Sequence, residues 1–367
     1  MTSIALPRSI LVAVALGFAA SAATTLAAEE KSDCEPKGNA RPICIFTNPE
    51  DMVPLPGNQA ILIGEYAHSG AGHSGGLAIF KLASEERQTL FRGGDSSAVA
   101  EAGWGDPSCT SPPTSAFNSH GIDLVTRNDG RLELLVVQHG GREAIEFFEL
   151  EGQGTDWKIT WRGCVPAPPD ASLNEVVALP NGDFYTTKMA QLEGALDFEN
   201  GLPTEPTGHA FAWSASKGYR AIVGTAGIMP NGIAASPDGR ILYMNVSGEN
   251  SIRKIEVATG KELGRAEVSA PDNVTWSPDG RLLVASAFVG EIDPAVFAAC
   301  MAKQHGYCEI PFKIVAVDPA TMTTLGTIYE SDGTPLGAGT VGLQVGRELF
   351  IGSFKSDRIL RVALDEK

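Results

Sequence analysis

The chain has 367 residues, with 28 Lys+Arg against 44 Asp+Glu and a formal net charge of −16. That acidic balance argues against nucleic-acid binding, which needs a surface that neutralises phosphates, and against a polybasic hold on anionic lipid. Hydrophobic residues at 43% and charged residues at 20% exclude a disordered chain, and 41 glycines without a period of three exclude a collagen-like one.

The first predicted element is an address. Met1 to Arg8 carries positive charge, Ile10 to Ala20 is apolar, and small residues follow to Ala28. This is the pattern of a cleaved secretory signal. Residues 1–28 are therefore expected to be removed and 29–367 to form one domain, exported to a bacterial periplasm with no stable membrane anchor. Six cysteines suit that compartment. Closeness in sequence suggests Cys34 with Cys44 and Cys300 with Cys308, leaving Cys109 and Cys164, although six cysteines allow many other connectivities. No Cys-x-x-Cys is present, which disfavours a zinc ribbon or a thioredoxin-like site.

From Pro56 onward a turn followed by a strand recurs. Asn128-Asp129-Gly130, Pro180-Asn181-Gly182, Pro237-Asp238-Gly239 and Pro278-Asp279-Gly280 each precede an apolar run, and looser copies stand at Gly57 and Gly346. Such turns between apolar runs are the strongest local hairpin signal. The turn glycines lie on average about 58 residues apart, which suits a four-stranded propeller blade with its loops. Six copies predict an all-β, six-bladed β-propeller rather than a pair of β-sandwiches. Gly76 to Leu82, Glu143 to Glu151, Ile252 to Val257 and Ile314 to Val317 read as outer strands, and Arg358 to Leu364 is placed to close the ring with early residues. Two stretches, Lys188 to Pro206 and Pro294 to Gln304, have roughly helical apolar spacing. They are expected as short helical insertions over one face, capping apolar surface or forming a lid.

About eight residues before each turn stands a polar cluster: Glu50-Asp51, His120-Gly121, Asn174-Glu175, Asn231-Gly232, Asp272-Asn273 and Thr340-Val341. Equivalent positions of every blade lie on a ring around the propeller axis, so these groups should converge on the channel. Glu50, Asn174, Asn231, Asp272 and Asn273 offer only hard oxygen donors, which suits calcium rather than zinc. An asparagine or aspartate before a turn commonly serves as a local cap; the ring argument rests on five such donors in register across four repeats. His120 lies on the ring, and His139 ends the strand after the same repeat's turn. One imidazole can take a proton from water while the other orients or relays it.

These pieces together resemble the paraoxonase/arylesterase family of calcium-dependent lactonases, over Pro49 to Leu364. The resemblance is carried by Pro49-Glu50-Asp51, His120-Gly121-Ile122, Leu135 to His139, Leu173-Asn174-Glu175, Asn231-Gly232-Ile233 with Ser236 to Gly239, Asp272-Asn273, and Gly339-Thr340-Val341. It implies two calcium ions. The catalytic ion would be held by Glu50, Asn174, Asn231, Asp272 and Asn273. The structural ion would be held by Asp51, Glu175 and the backbone carbonyl of Ile122. It also implies His120 and His139 as the catalytic pair, and a small-molecule lactone or aryl ester as substrate. Three departures stand out. Glu175 replaces the usual aspartate, Ala287 stands where a third histidine is common, and residues 362–367 lack the cysteine that would bridge the chain ends.

Gly72-His73-Ser74-Gly75-Gly76 matches Gly-x-Ser-x-Gly, but it leads into a strand-like run from Gly76 rather than standing between a strand and a helix, which disfavours a serine-hydrolase elbow. The rival enzyme is a gluconolactonase-type sugar lactonase, which would need fewer ligands and no histidine pair. A strictosidine-synthase-like propeller is more distant. A non-catalytic periplasmic binding propeller is the rival of a different class.

Overall fold

The computed structural model describes residues 34–67, 75–95, 98–192, 203–290, 293–303 and 305–364. The six turn glycines of the repeat all have positive φ, from 59° at Gly346 to 88° at Gly57, a region glycine enters without a Cβ penalty. Each reverses the chain between the first two strands of a sheet. Six antiparallel four-stranded sheets result, and the protein is a six-bladed β-propeller. In chain order, the innermost strands of blades 1 to 6 are Pro49–Pro54, Ser119–Thr126, Ser172–Ala178, Pro230–Ala235, Pro271–Trp276 and Gly339–Val345. The runs expected as outer strands, such as Gly76–Lys81 and Phe312–Val317, take third place in their blades, with one more strand outside each.

Blade 6 takes its outermost strand from the opposite end of the chain. Ala40–Ile43 pairs with Ile359–Ala363, with Ala40 opposite Val362 and Ile43 opposite Ile359. The ring is closed by backbone hydrogen bonds, the closure expected for Arg358 to Leu364.

The apolar runs are continuous because alternate residues serve two interfaces. In the second strand of blade 2, Leu134 and Val136 pack toward blade 1, while Leu135 and Val137 pack toward blade 3. Leu282 and Val284 likewise face blade 4 while Leu283 and Ala285 face blade 6. The period of two along a strand gives this division directly.

All three disulfides fall where closeness in sequence placed them: Cys34–Cys44, Cys109–Cys164 and Cys300–Cys308. The Cys109–Cys164 loop spans 55 residues against 10 and 8 for the others. Loop-closure entropy therefore gives it the largest effect on the unfolded chain. The double variant Cys109→Ser, Cys164→Ser is expected to lose about 3–4 kcal/mol of stability, more than the Cys300/Cys308 equivalent, as measured by denaturant titration.

Of the two expected insertions, Pro294–Ala302 is an α-helix, started by Asp293, whose side chain accepts from the Ala295 N–H, and by Pro294 at its first position. The other expectation is corrected in part. Lys188 to Ala190 complete the strand Phe184–Ala190, held by pairing with His209–Ser214, and residues 203–206 contain no helix. Residues 193–202, with Leu196 and Phe198, lie outside the described residues, as does the expected signal segment. Among the described residues, no helix is long and apolar enough to cross a membrane.

Candidate functional site

Every innermost strand is irregular at the same place. The pairing to its neighbour slips between Pro49 and Asp51, Ser119 and Ile122, Leu173 and Val176, Pro230 and Ile233, Pro271 and Val274, and Gly339 and Val341. Each slip is a β-bulge, which bends a strand and re-aims its side chains. The residues inside the bulges are Glu50, His120-Gly121, Asn174-Glu175, Asn231-Gly232, Asp272-Asn273 and Thr340. Apart from Asp51 and Val341, which pair with Gly64 and Gly352, the polar clusters read from the repeat are therefore the bulged residues of all six blades.

Side chains tie each blade to the next at this level. Asp51 accepts from Ile122 N–H at 2.8 Å, and Asp123 accepts from Ala178 N–H at 2.8 Å. Thr187 Oγ1 donates to the Asn231 carbonyl at 2.6 Å, and Ser247 Oγ donates to the Pro271 carbonyl at 2.6 Å. Thr275 Oγ1 donates to the Gly342 carbonyl at 2.6 Å, and Thr340 Oγ1 donates to the Glu50 carbonyl at 2.8 Å. Gly121 is required here by space. A Cβ on it would sit 2.3 Å from Glu175 Oε1 and 2.7 Å from the Asn174 carbonyl oxygen.

The five expected ligands of the catalytic ion all stand on this ring. Asn273 Nδ2 donates to Glu50 Oε1 at 2.8 Å across the channel, from blade 5 to blade 1. Asn231 Nδ2 donates to Ser247 Oγ at 3.2 Å. The amide nitrogens thus point to protein partners. Glu50 Oε2, Asn174 Oδ1 and Asn231 Oδ1 are left buried with no hydrogen-bond partner. An unmet buried oxygen costs about 1–3 kcal/mol, and here three occur on one ring.

The electrostatics point the same way. Burial, then the charges of Asp51 and Asp272, hold the Glu50 carboxyl well above the usual carboxylate range. Burial pushes Asp272 up to about 7, with a smaller contribution from Asp51. In the second cluster, Asp51 is pushed up to about 7 by burial, against the pull of the Ile122 and Met52 N–H groups. Glu175 is raised well above its usual range by burial, then by Asp51 and Glu50. Ile122 meets this cluster through its N–H. A divalent cation would relieve both the orphan oxygens and the crowded acids, so the donor set fits one. Among the described residues, no three His, Cys, Asp or Glu side chains form a metal-binding group; the inner ring draws on amide oxygens instead.

The two histidines meet. His120 Nδ1 lies 2.9 Å from His139 Nε2, and His120 Nε2 lies 3.9 Å from Glu50 Oε1. Three participants were not legible as such in the sequence. Glu143 Oε2 lies 2.8 Å from His139 Nδ1. Tyr66 lays its ring over His120 at 4.8 Å and meets His139 edge-on at 6.2 Å. Asn245 Nδ2 donates to the Asp272 carbonyl. The His139-x-x-x-Glu143 spacing is the only sequence trace of the first, and it says nothing until the hairpin is folded.

A family model described as Arylesterase matches residues 108–362. Among solved structures, a luciferin-regenerating enzyme is 14% identical with a TM-score of 0.53, covering 88% of this chain and 92% of its own. A gluconolactonase from Xanthomonas campestris is 16% identical with a TM-score of 0.52, covering 89% of this chain and 91% of its own. At these identities the likeness is one of fold. No curated protein sequence matches the chain.

Proposed function

The chain belongs to the arylesterase family, and from that premise and its site we propose that it is a calcium-dependent hydrolase of lactones and aryl esters. The observation that carries this reading is the trio of buried, unpartnered oxygens on Glu50, Asn174 and Asn231, beside a hydrogen-bonded histidine pair. Glu50, Asn174, Asn231, Asp272 and Asn273 would hold one calcium ion. Asp51, Glu175 and the Ile122 backbone would hold a second, structural one. Calcium at the first site would supply Lewis-acid polarisation of a substrate carbonyl. His120, whose Nε2 is turned toward Glu50, would take a proton from water, and His139 would support it, an effect worth about 10²–10⁴-fold in rate. Asn273 holds Glu50, and Tyr66 packs against both rings and limits how far they can turn. The narrow, buried ring suits a small molecule. Export to a periplasm is proposed from the leader pattern.

A second reading, a sugar-lactone hydrolase, is favoured by the fold shared with the Xanthomonas gluconolactonase, and it has no need of the histidine pair. The test is an activity panel of an acyl lactone, phenyl acetate and gluconolactone, with and without chelator, alongside a calcium count. The proposal expects turnover of the first two, loss on chelation and about two ions per chain. Turnover of gluconolactone alone would favour the second reading. Chelator-insensitive turnover would overturn the metal role, and no turnover with retained calcium would leave a binding propeller.

A further inference from the structure

We infer that Glu143 is a positioning residue that fixes the tautomers of both histidines and so leaves His120 Nε2 as the bare, proton-accepting nitrogen. The catalytic significance rests on the hydrolase reading above; the tautomer assignment does not.

Glu143 Oε2 is 2.8 Å from His139 Nδ1, and a carboxylate can only accept, so His139 Nδ1 carries the proton. A neutral imidazole has one N–H, so His139 Nε2 is bare and accepts from His120 at 2.9 Å. The proton of that bond is therefore on His120 Nδ1, and His120 Nε2 is left bare on the Glu50 side of the ring, 3.9 Å from Glu50 Oε1. Without the carboxylate the opposite chain of donors is equally well formed, and it would put a hydrogen on His120 Nε2, where it could not take one from water.

The protein builds this contact. The hairpin between the second and third strands of blade 2 runs Gln138 to Ala144. Gly141 has a φ of 80°, and a Cβ on Gly140 would lie 1.5 Å from the Ala116 carbonyl oxygen. This tight return brings Glu143 back beside His139. Its other oxygen, Oε1, accepts from Leu173 N–H of blade 3 at 2.7 Å, next to the ring residue Asn174. The adjacent cation does not compete, because Arg142 is committed to Glu146 through two bonds of 2.7 Å. The Glu143 side chain is only 11% exposed, so water does not readily replace it.

When His120 Nε2 takes a proton from water, one water O–H bond breaks and one N–H bond forms. The His120 Nδ1 proton can then pass to His139 Nε2. His120 returns to neutral, and the positive charge rests on His139 beside the Glu143 carboxylate. No electrons are exchanged, and the hydroxide formed is consumed at the substrate carbonyl.

The test uses the calcium-loaded full chain and two readouts: long-range 1H–15N correlation spectra of the histidine nitrogens, and steady-state kinetics on phenyl acetate. In the wild type, protonated Nδ1 and bare Nε2 are expected on both rings. In Glu143→Gln the amide oxygen can keep the Leu173 N–H while its NH2 faces His139 Nδ1. Both tautomers should then invert, kcat should fall on the order of 10²–10⁴-fold with KM within about twofold, and bound calcium should be unchanged. A wild-type His120 carrying its proton on Nε2 would overturn the inference, whatever the variant does. So would unaltered tautomers or unaltered kcat in a folded glutamine variant. If that variant does not fold, Glu143→Asp, with its carboxylate drawn back by one methylene, is read for a partial shift toward the inverted tautomer, and its absence counts against the inference. A wild type that hydrolyses nothing on the panel would sink the hydrolase reading while the spectra still decide the tautomers.

Discussion

Replacing Asp272 by alanine is expected to lower kcat/KM for lactone and phenyl acetate hydrolysis by on the order of 10³-fold or more, while the propeller still folds. Asp272 is a bulged residue of blade 5, outside the regular ladder, so its side chain is not needed to pair the strands. Its carboxyl is raised first by burial and to a smaller extent by the charge of Asp51. In the metal-free protein its removal therefore takes away an unfavourable charge, and the chelated variant should melt at or above the chelated wild type. In calcium the order reverses, because the variant has lost an anionic ligand and should gain little from the ion. Melting curves with and without calcium, together with turnover, separate the two effects. Robust hydrolysis by the variant would remove Asp272 from the site. A variant unfolded under both conditions would make Asp272 structural.

Chelation should also uncover a loss of stability with rising pH. Asp51 and Asp272 titrate near 7 in the fold and Asp123 near 6, against an ordinary 3.8, and Glu133 titrates near 7 against 4.5. Burial is the first cause for each. Glu50 and Glu175 are displaced in the same direction. A group with a raised folded pKa binds its proton more tightly folded than unfolded. Its contribution is fully present below the unfolded pKa and is lost as pH rises through the folded one. The metal-free protein should therefore lose stability between about pH 5 and pH 8. Burial also raises Glu146, and the opposing group among the described residues is His209, which burial lowers. The melting temperature of chelated, desalted protein is expected to fall by on the order of 5–10 °C from pH 5 to pH 8. Calcium should hold the site carboxylates ionised and remove most of that fall. A chelated protein that grows more stable over this range would contradict the account of the acids.

How much was legible in the chain differs between fold and site. The turn chemistry is local. A glycine at positive φ after Asn, Asp or Pro needs no tertiary partner, so Gly130, Gly182, Gly239 and Gly280 announce their hairpins, and the recurrence of the turn announces the blades. The three disulfides were also within reach, because two pairs are short loops and the third is what remains. The stretch from Lys188 to Pro206 misled for a physical reason. Met189 and Leu192 fit a helical spacing, but residues 188–190 are held in a strand because Lys188 pairs with Leu173 and His209 and Ala190 pairs with Ser172, and single-chain periodicity cannot see a partner strand. The candidate ligands could be named from register alone. Nothing in the sequence showed which of their oxygens would be left without partners, since that depends on where Asn273 and Ser247 stand across the channel.

The sequence by itself determined the number of blades, the turns that separate their strands and the polar residues that reach the axis, because each is set by a short-range conformational preference repeated along the chain. Only the tertiary structure decided that these residues occupy bulges in all six blades, that three oxygens on the ring go unmet, and that Glu143 reaches His139. Those facts depend on atoms brought together from separate blades or across a folded hairpin, whose distances are fixed by closing the ring and not by any neighbour in sequence.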